Sequence, residues 1–203
     1  MSSDADLTLE AIPNGTGLVL DLGGNQGMLR QPLEERGYRY INLDFRHFGS
    51  GEPSLLGDAH QLPFKDDALD MVVSKDTLEH FIQPWAAVKE VHRVLKTGGQ
   101  FVIWVPWMHP FHEDDFYRYS PLGLRSLLKD FDLVAFESPL WVFTVVGMAV
   151  EEALKRMHLG LIAERIRPLC GLIDRVFTRR QKHPASFASA YRIVARKRDK
   201  RDQ

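Results

Sequence analysis

The sequence predicts an α/β fold built on a parallel sheet, and three observations carry that prediction. From Leu18 to Val105 short apolar runs alternate with longer amphipathic ones, the pattern of strands joined by crossover helices. The first apolar run ends in Asp21 and turns through Gly23-Gly24-Asn25-Gln26-Gly27. The second, Tyr40-Ile41-Asn42-Leu43, ends in a further acid, Asp44.

Strands are expected at Leu18 to Leu22, Tyr38 to Leu43, Ser54 to Leu56, Leu69 to Ser74 and Gln100 to Val105. A helix from Pro84 to Leu95 is the clearest element. Pro84 suits a first turn, Val88, Val91 and Leu95 share one face, and Gly98 with Gly99 is read as its end. Another helix starts after Ser120, with Pro121 at its first position and Leu124, Leu127 and Leu128 inward. Phe131 to Phe136 reads as a sixth strand and Ala190 to Ala195 as a last one, with Arg196 to Gln203 as a frayed tail. Between them, from Pro139 to Lys182, strand and turn punctuation is missing, and residues 139–182 are taken as a helical insertion or cap within a single domain of residues 1–203.

Composition excludes several classes. The hydrophobic share of 44% and charged share of 26% are those of an ordinary globular chain. With 26 Lys and Arg against 27 Asp and Glu, there is no general polycation to draw nucleic acid. One cysteine, Cys170, excludes an intrachain disulfide and fits a reducing cytoplasm. Asp4, Asp6 and Glu10 stand where a secretory signal needs a basic start, so a cytoplasmic protein is expected.

The glycine turn is the most informative segment, since glycine tolerates positive φ and lets main chain approach a ligand. A nicotinamide fingerprint fails: counting from Gly23, its second and third glycine places hold Asn25 and Met28. A phosphate-binding P-loop fails because no Gly-Lys-Ser/Thr follows. An early carboxylate suits a cationic ligand better than a pyrophosphate. Asp44, seventeen residues after Gly27, is well placed for a ribose diol, the alternative being a surface turn aspartate.

Further pieces follow in order: Gly57-Asp58-Ala59-His60-Gln61-Leu62-Pro63-Phe64, Asp70-Met71-Val72-Val73-Ser74, Leu78-Glu79-His80, and Glu90-Val91-His92-Arg93-Val94-Leu95-Lys96-Thr97-Gly98-Gly99. With these the chain resembles the class I S-adenosylmethionine-dependent methyltransferases, in the group called methyltransferase type 11, over about Leu18 to Phe136. Tyr191 to Lys197 looks like that group's last strand. The resemblance implies a Rossmann-like, doubly wound seven-stranded sheet with an antiparallel last strand and the helical insertion before it. It implies S-adenosyl-L-methionine as cofactor. Asp21 and Gly23 would line its methionine end, Gly27 would allow close packing and Asp44 would hold the ribose. Asp58 would accept from the adenine amino group beside Ala59, with Ser74 at the end of the fourth strand. One departure is Asn25, where the group has its middle glycine; asparagine also visits the left-handed region.

Directly after the fifth strand comes a dense cluster, Trp107-Met108-His109-Pro110-Phe111-His112-Glu113-Asp114-Asp115-Phe116-Tyr117-Arg118-Tyr119. An open α/β sheet puts its ligands at that edge. The expected role is acceptor binding by Trp107, Asp115, Tyr117 and Arg118, with His109, His112 or His80 as general base. The alternative is a loop whose acids pair with Arg118 and whose aromatics pack. By resemblance, His-Pro-x-His and Asp-x-x-Arg-Tyr segments belong to methyltransferases found with polysaccharide and glycolipid synthesis. No zinc or calcium spacing is present, so no metal is expected.

The expected activity is O-methylation of a sugar, glycolipid or other small-molecule acceptor; the alternative is a non-catalytic binding or partner protein with the same fold. Nucleic acid is not expected as acceptor, because Ser74-Lys75-Asp76 replaces the Asn/Asp-Pro-Pro-aromatic box of exocyclic-amine methylases. From Lys155 to Lys182 eight Lys or Arg face Glu164 and Asp174, with Leu159, Ile162, Ile166, Leu169, Leu172, Ile173 and Val176 as an apolar stripe. That stripe is read as a cap on the core, with a homodimer interface or peripheral contact with the inner face of the membrane as the alternatives.

Overall fold

The apolar run Gly17–Leu22 forms β1 in the middle of a sheet. In a computed structural model of the chain, residues 4–48, 53–111, 114–178 and 185–199 are described. Among them β1 is followed by β2 (Tyr38–Asp44), β3 (Leu55–Leu56), β4 (Leu69–Lys75), β5 (Leu95–Pro106), β6 (Phe131–Glu137) and β7 (Ala190–Lys197). These form one seven-stranded sheet in the order β3-β2-β1-β4-β5-β7-β6. The pairings from β3 through β5 are parallel, and β7 is antiparallel to both β5 and β6. This is the doubly wound class with an antiparallel last strand that the sequence predicts.

Both faces of the sheet are covered, which is why the central strands read as almost continuous apolar runs. Alternate residues go to opposite layers. Leu20, Leu22, Val72, Phe101 and Ile103 enter one core cluster, while Val19, Met71, Val73 and Val102 enter another with Leu29 and Leu33. The first layer is closed by α3 (Pro84–Val94), whose Ala87, Val88, Val91 and Val94 are buried, and by Leu124 of α4 (Pro121–Leu127). The second is closed by α2 (Arg30–Glu35) and by α1 (Asp4–Leu9). No sequence signal marked α1. Arg192 of β7 ties it down, donating to the Leu7 carbonyl and pairing with Glu10 at 3.2 Å.

Several boundaries differ from the sequence reading. Gly98 and Gly99 do not end α3: the helix stops at Val94, Leu95 is already extended, and the glycines sit in an irregularity at the start of β5, where Gly98 has φ +78. Ser54 precedes β3 rather than belonging to it. Arg196 and Lys197 are not a frayed tail. They complete β7, and buried Lys197 reaches the Leu95 carbonyl at 2.6 Å and Asp67 at 2.7 Å. The tail beyond residue 199 lies outside the described residues.

Two helices, α5 (Val142–Arg156) and α6 (Gly160–Thr178), stand between β6 and β7. The basic stretch is therefore divided between them, with Lys155 and Arg156 at the end of α5 pairing with Glu151 and Glu152 one turn back. A helix N-terminus leaves several N–H groups without intrahelical partners. Here a residue on the opposite helix supplies the acceptor: fully buried Asp174 of α6 takes the N–H groups of Trp141, Phe143 and Thr144 at 2.7 to 3.1 Å. The charge also suits the positive end of the α5 dipole. Replacing Asp174 with Ala is expected to weaken the helix pair by about 2 kcal/mol, read as faster hydrogen exchange at the start of α5 with β1 to β5 protected as before.

Candidate active site

The carboxyl ends of β1, β2 and β4 meet where the strand order reverses, the place at which open α/β sheets bind ligands. The residues that leave β1 form a tight turn. Gly23 and Gly27 both have φ +73, a region that admits glycine readily, and Asn25 has φ +50. The turn is longer than the sequence suggests, since α2 begins only at Arg30. Gly23 has a second reason to be glycine. A Cβ there would lie 2.3 Å from the Thr77 methyl group, so the turn packs directly on the segment after β4.

Asp44, 5% exposed, holds this turn in place. Its Oδ2 accepts from the Asn25 N–H at 3.1 Å and its Oδ1 from the Phe45 N–H at 2.7 Å. Asn42 adds a bond from its Nδ2 to the Asn25 carbonyl at 2.9 Å. Asp21 is buried below the turn and accepts from the Tyr40 hydroxyl at 2.6 Å. The Asp44 carbonyl accepts from the Gly57 N–H, which brings Asp58 and buried Ala59 to the same edge. The Asp58 carboxylate is exposed; the His60 N–H and ring hold it below the usual carboxylate range. Arg93 of α3 fastens this loop from behind, donating to the Leu62 and Phe64 carbonyls and pairing with Glu90 and Asp66. Thus the Glu-x-x-Arg part of the α3 motif is a structural tie.

After β4 the chain passes through Asp76, another non-glycine residue at positive φ (+48), into a short 3-10 turn, Leu78–His80. That turn is clasped to the segment after β5. The Phe116 and Tyr117 N–H groups both donate to the Glu79 carbonyl, the Tyr119 hydroxyl to the Leu78 carbonyl and the Tyr117 hydroxyl to the Ile82 carbonyl. The rings of Tyr117 and Tyr119 stack at 5.7 Å. His80 Nδ1 lies 2.9 Å from the Asp114 carbonyl. A carbonyl can only accept, so Nδ1 carries the hydrogen in the neutral ring and Nε2 keeps its lone pair. Nε2 stands 3.9 Å from Glu79.

Glu79 is the residue that the sequence reading passed over in favour of its neighbour. Its side chain is fully buried. Burial foremost, then the nearby Asp76 charge, pushes its carboxyl up to about 8. Asp115 raises it further and Arg118 opposes them. The Asp115 side chain is also buried, 2% exposed, and forms an ion pair with Arg118. Arg118 also reaches the His109 and Pro110 carbonyls and lies over the Phe111 ring, while its Nε is buried without a partner among the described residues. The acid within Leu78-Glu79-His80 was visible in the sequence; its burial was not.

The other expected site residues fall out unevenly. Ser74, 1% exposed, has an Oγ without a partner among the described residues. Trp107 is engaged by the protein itself: its indole N–H donates to the Ser186 carbonyl and its ring lies 6.2 Å from Tyr191. His109 Nδ1 contacts the adjacent Pro110 carbonyl at 3.0 Å. His112 lies outside the described residues. Among the described residues no group of three or more His, Cys, Asp or Glu is placed to hold a metal ion.

A family model described as a methyltransferase domain matches residues 20–103, the stretch that builds this edge. Over those residues the chain is similar to the methyltransferase domains of that family. An uncharacterized methyltransferase of Mycobacterium leprae is 33% identical over 132 residues, covering 59% of this chain and 49% of the relative. The chain spans about half the length of the curated relatives it matches. Among solved structures, a SAM-dependent methyltransferase from Archaeoglobus fulgidus superposes with a TM-score of 0.67 at 19% identity, covering 96% of this chain and 93% of that one. The phosphoethanolamine N-methyltransferase 2 of Haemonchus contortus, solved with S-adenosylhomocysteine, gives 0.64 at 17%, covering 97% and 53%. At such identities the likeness is one of fold.

S-adenosylmethionine is the expected cofactor of a methyltransferase domain, and the residues present fit it. A turn of positive-φ residues, two buried carboxylates at the ends of adjacent strands, an exposed carboxylate on the next loop and an orphaned buried hydroxyl match a cationic nucleoside with a diol and an exocyclic amine. Asp44 keeps accepting capacity after its two backbone bonds, because each carboxylate oxygen has two lone pairs.

Glu79 gives the domain a pH signature. Its folded-state value lies above the unfolded value of 4.5, so the folded protein retains a proton that the unfolded chain loses. Stability is therefore expected to fall as pH rises from 4.5 towards 8. In Glu79→Gln that part of the decline should vanish, as measured by urea unfolding across the same interval.

Proposed function

We propose that the protein is an S-adenosylmethionine-dependent methyltransferase that methylates a hydroxyl oxygen of a sugar, glycolipid or other small acceptor in the cytoplasm. The observation that carries this reading is the clasp between the two segments after β4 and β5. It brings Glu79, His80, Asp115 and Arg118 together beside Thr77, and Thr77 touches the glycine turn.

The cofactor, when bound, supplies a methyl group already activated on a sulfonium, so the chain's own residues have chiefly to align and deprotonate the acceptor. Alignment can lower a barrier by about 7 to 11 kcal/mol. Asp44 holds the ribose, Asp58 and Ala59 the adenine, and the turn from Gly23 to Gly27 the methionine end. Arg118 and Tyr117 orient acceptor hydroxyls, with Asp115 fixing the guanidinium. His80 is assigned as the base: its Nδ1–H is held by the Asp114 carbonyl, and the unprotonated Nε2 takes the hydroxyl proton. His80 is preferred to His109 because its ring is tied to the segment after β5 while its own turn adjoins Thr77, and His112 lies outside the described residues.

Two measurements test the reading. Calorimetry with S-adenosylhomocysteine should show at least about tenfold weaker binding in Asp44→Ala; unchanged affinity removes the ribose assignment. Labelled methyl incorporation into lipid, glycan and small-molecule fractions should identify the acceptor, and His80→Ala should then lower kcat by about 10² to 10⁴-fold at unaltered cofactor affinity. A chain that binds the cofactor and yields no methylated product in any fraction is a binding protein instead.

A further inference from the structure

Asp44 and Asp21 are buried and fixed by the strands that carry them, whereas the Asp58 side chain is 68% exposed. A carboxylate surrounded by water turns among its rotamers, so one that is to read a ligand needs something to hold it. His60 does so twice. Its backbone N–H donates to Asp58 Oδ1 at 2.8 Å, and its ring Nδ1 lies 2.6 Å from the same oxygen. A carboxylate can only accept, so Nδ1 carries the hydrogen. Both bonds converge on Oδ1, and among the described residues no hydrogen bond reaches Oδ2. The lone pairs of Oδ2 are left for a ligand.

The imidazole is itself held. It meets the Phe81 ring edge to face, with centroids 5.6 Å apart, and its Nε2 is buried without a partner among the described residues. Nδ1 is therefore the ring atom that carries its polar contact. Phe81 directly follows the Leu78–His80 turn and packs on the core cluster that holds Ala59 and Leu62. The ring thus stands on the floor of the adenine loop, which Glu90 fastens by accepting the Leu62 N–H at 2.9 Å. Given the assignment of Asp58 to adenine in the proposed function, we propose that His60 is a positioning residue for the cofactor: by occupying Oδ1 of Asp58 it presents Oδ2 to the exocyclic amine of the base. A carboxylate fixed in this way accepts from an amine and repels a ring carbonyl in the same place, so the loop selects adenine over an oxopurine.

The test compares two ligands by calorimetry on the full chain: S-adenosylhomocysteine, and its analogue with hydrogen in place of the exocyclic amine. The unaltered protein should prefer the first at least about tenfold, since a hydrogen bond to a charged group is lost with the amine. His60→Phe keeps a ring against Phe81 and removes the donor. It should cut that preference at least about threefold by weakening S-adenosylhomocysteine alone, with the affinity for the analogue unchanged. His60→Ala, which adds no bulk, should do the same, and His60→Asn, whose amide N–H can stand in for Nδ1, should restore most of the preference. An undiminished preference in both His60→Phe and His60→Ala overturns the proposal. Equal weakening of both ligands overturns it too, because that marks a brace for the loop and nothing more. Asp58→Ala separates the two levels. If it keeps the preference, the adenine assignment falls and the role of His60 with it; if it loses the preference while His60→Phe and His60→Ala keep it, the role of His60 alone falls.

Discussion

A carboxylate taken out of water must find donors close at hand, and the carboxyl edge of this sheet is organised around that requirement. Asp44 ends β2 with both oxygens accepting backbone N–H groups, one from its own continuation and one from Asn25 across the crevice. Through that second bond the turn after β1 is held to the neighbouring strand. Asn25 can take the left-handed geometry that the bond demands, so the departure from the usual glycine leaves the turn intact. Tyr40 satisfies Asp21 in the same way. The crevice is thus shaped by the protein's own hydrogen bonds and needs little rearrangement to receive a ligand, which lowers the entropy lost on binding.

The second half of the site follows a different logic. The segment after β4 bends sharply at Asp76, and the segment after β5 is laid against it through main-chain bonds to Leu78 and Glu79. Packing two polar segments together buries their acids. Glu79 answers by retaining its proton to higher pH, while Asp115 takes Arg118 as a partner. Groups with displaced proton affinity, gathered at the switch point of an α/β sheet, are what acid–base chemistry on a bound acceptor requires. The same bonds that close the clasp fix the tautomer of His80.

The helix pair beyond β6 is joined by one buried acid. Asp174 of α6 completes the first turn of α5. Arg192 and Lys197 act similarly on the other side of the molecule. Each spends its charge inside, tying β7 to α1 and to the end of α3.

The amino-acid sequence by itself determined the parallel core, the glycine turn with its two following acids and the likeness to methyltransferase domains over residues 20–103. Those features are local: nearly continuous apolar strand runs, a turn that needs positive φ, and an acid at a strand end are all written within a few residues. The polar loop after β5 could be read as a cluster, yet its internal arrangement could not. Only tertiary structure decided that Glu79 rather than its neighbour is buried, that Trp107 is taken up by Ser186, and that the α3 motif serves as a tie. It also decided that Gly98 and Gly99 belong to a strand irregularity and that Asp174 caps a distant helix. In each case the deciding partner is more than twenty residues away in the chain or belongs to another strand. Burial and pairing across such separations are set by how the layers pack, which no local spacing encodes.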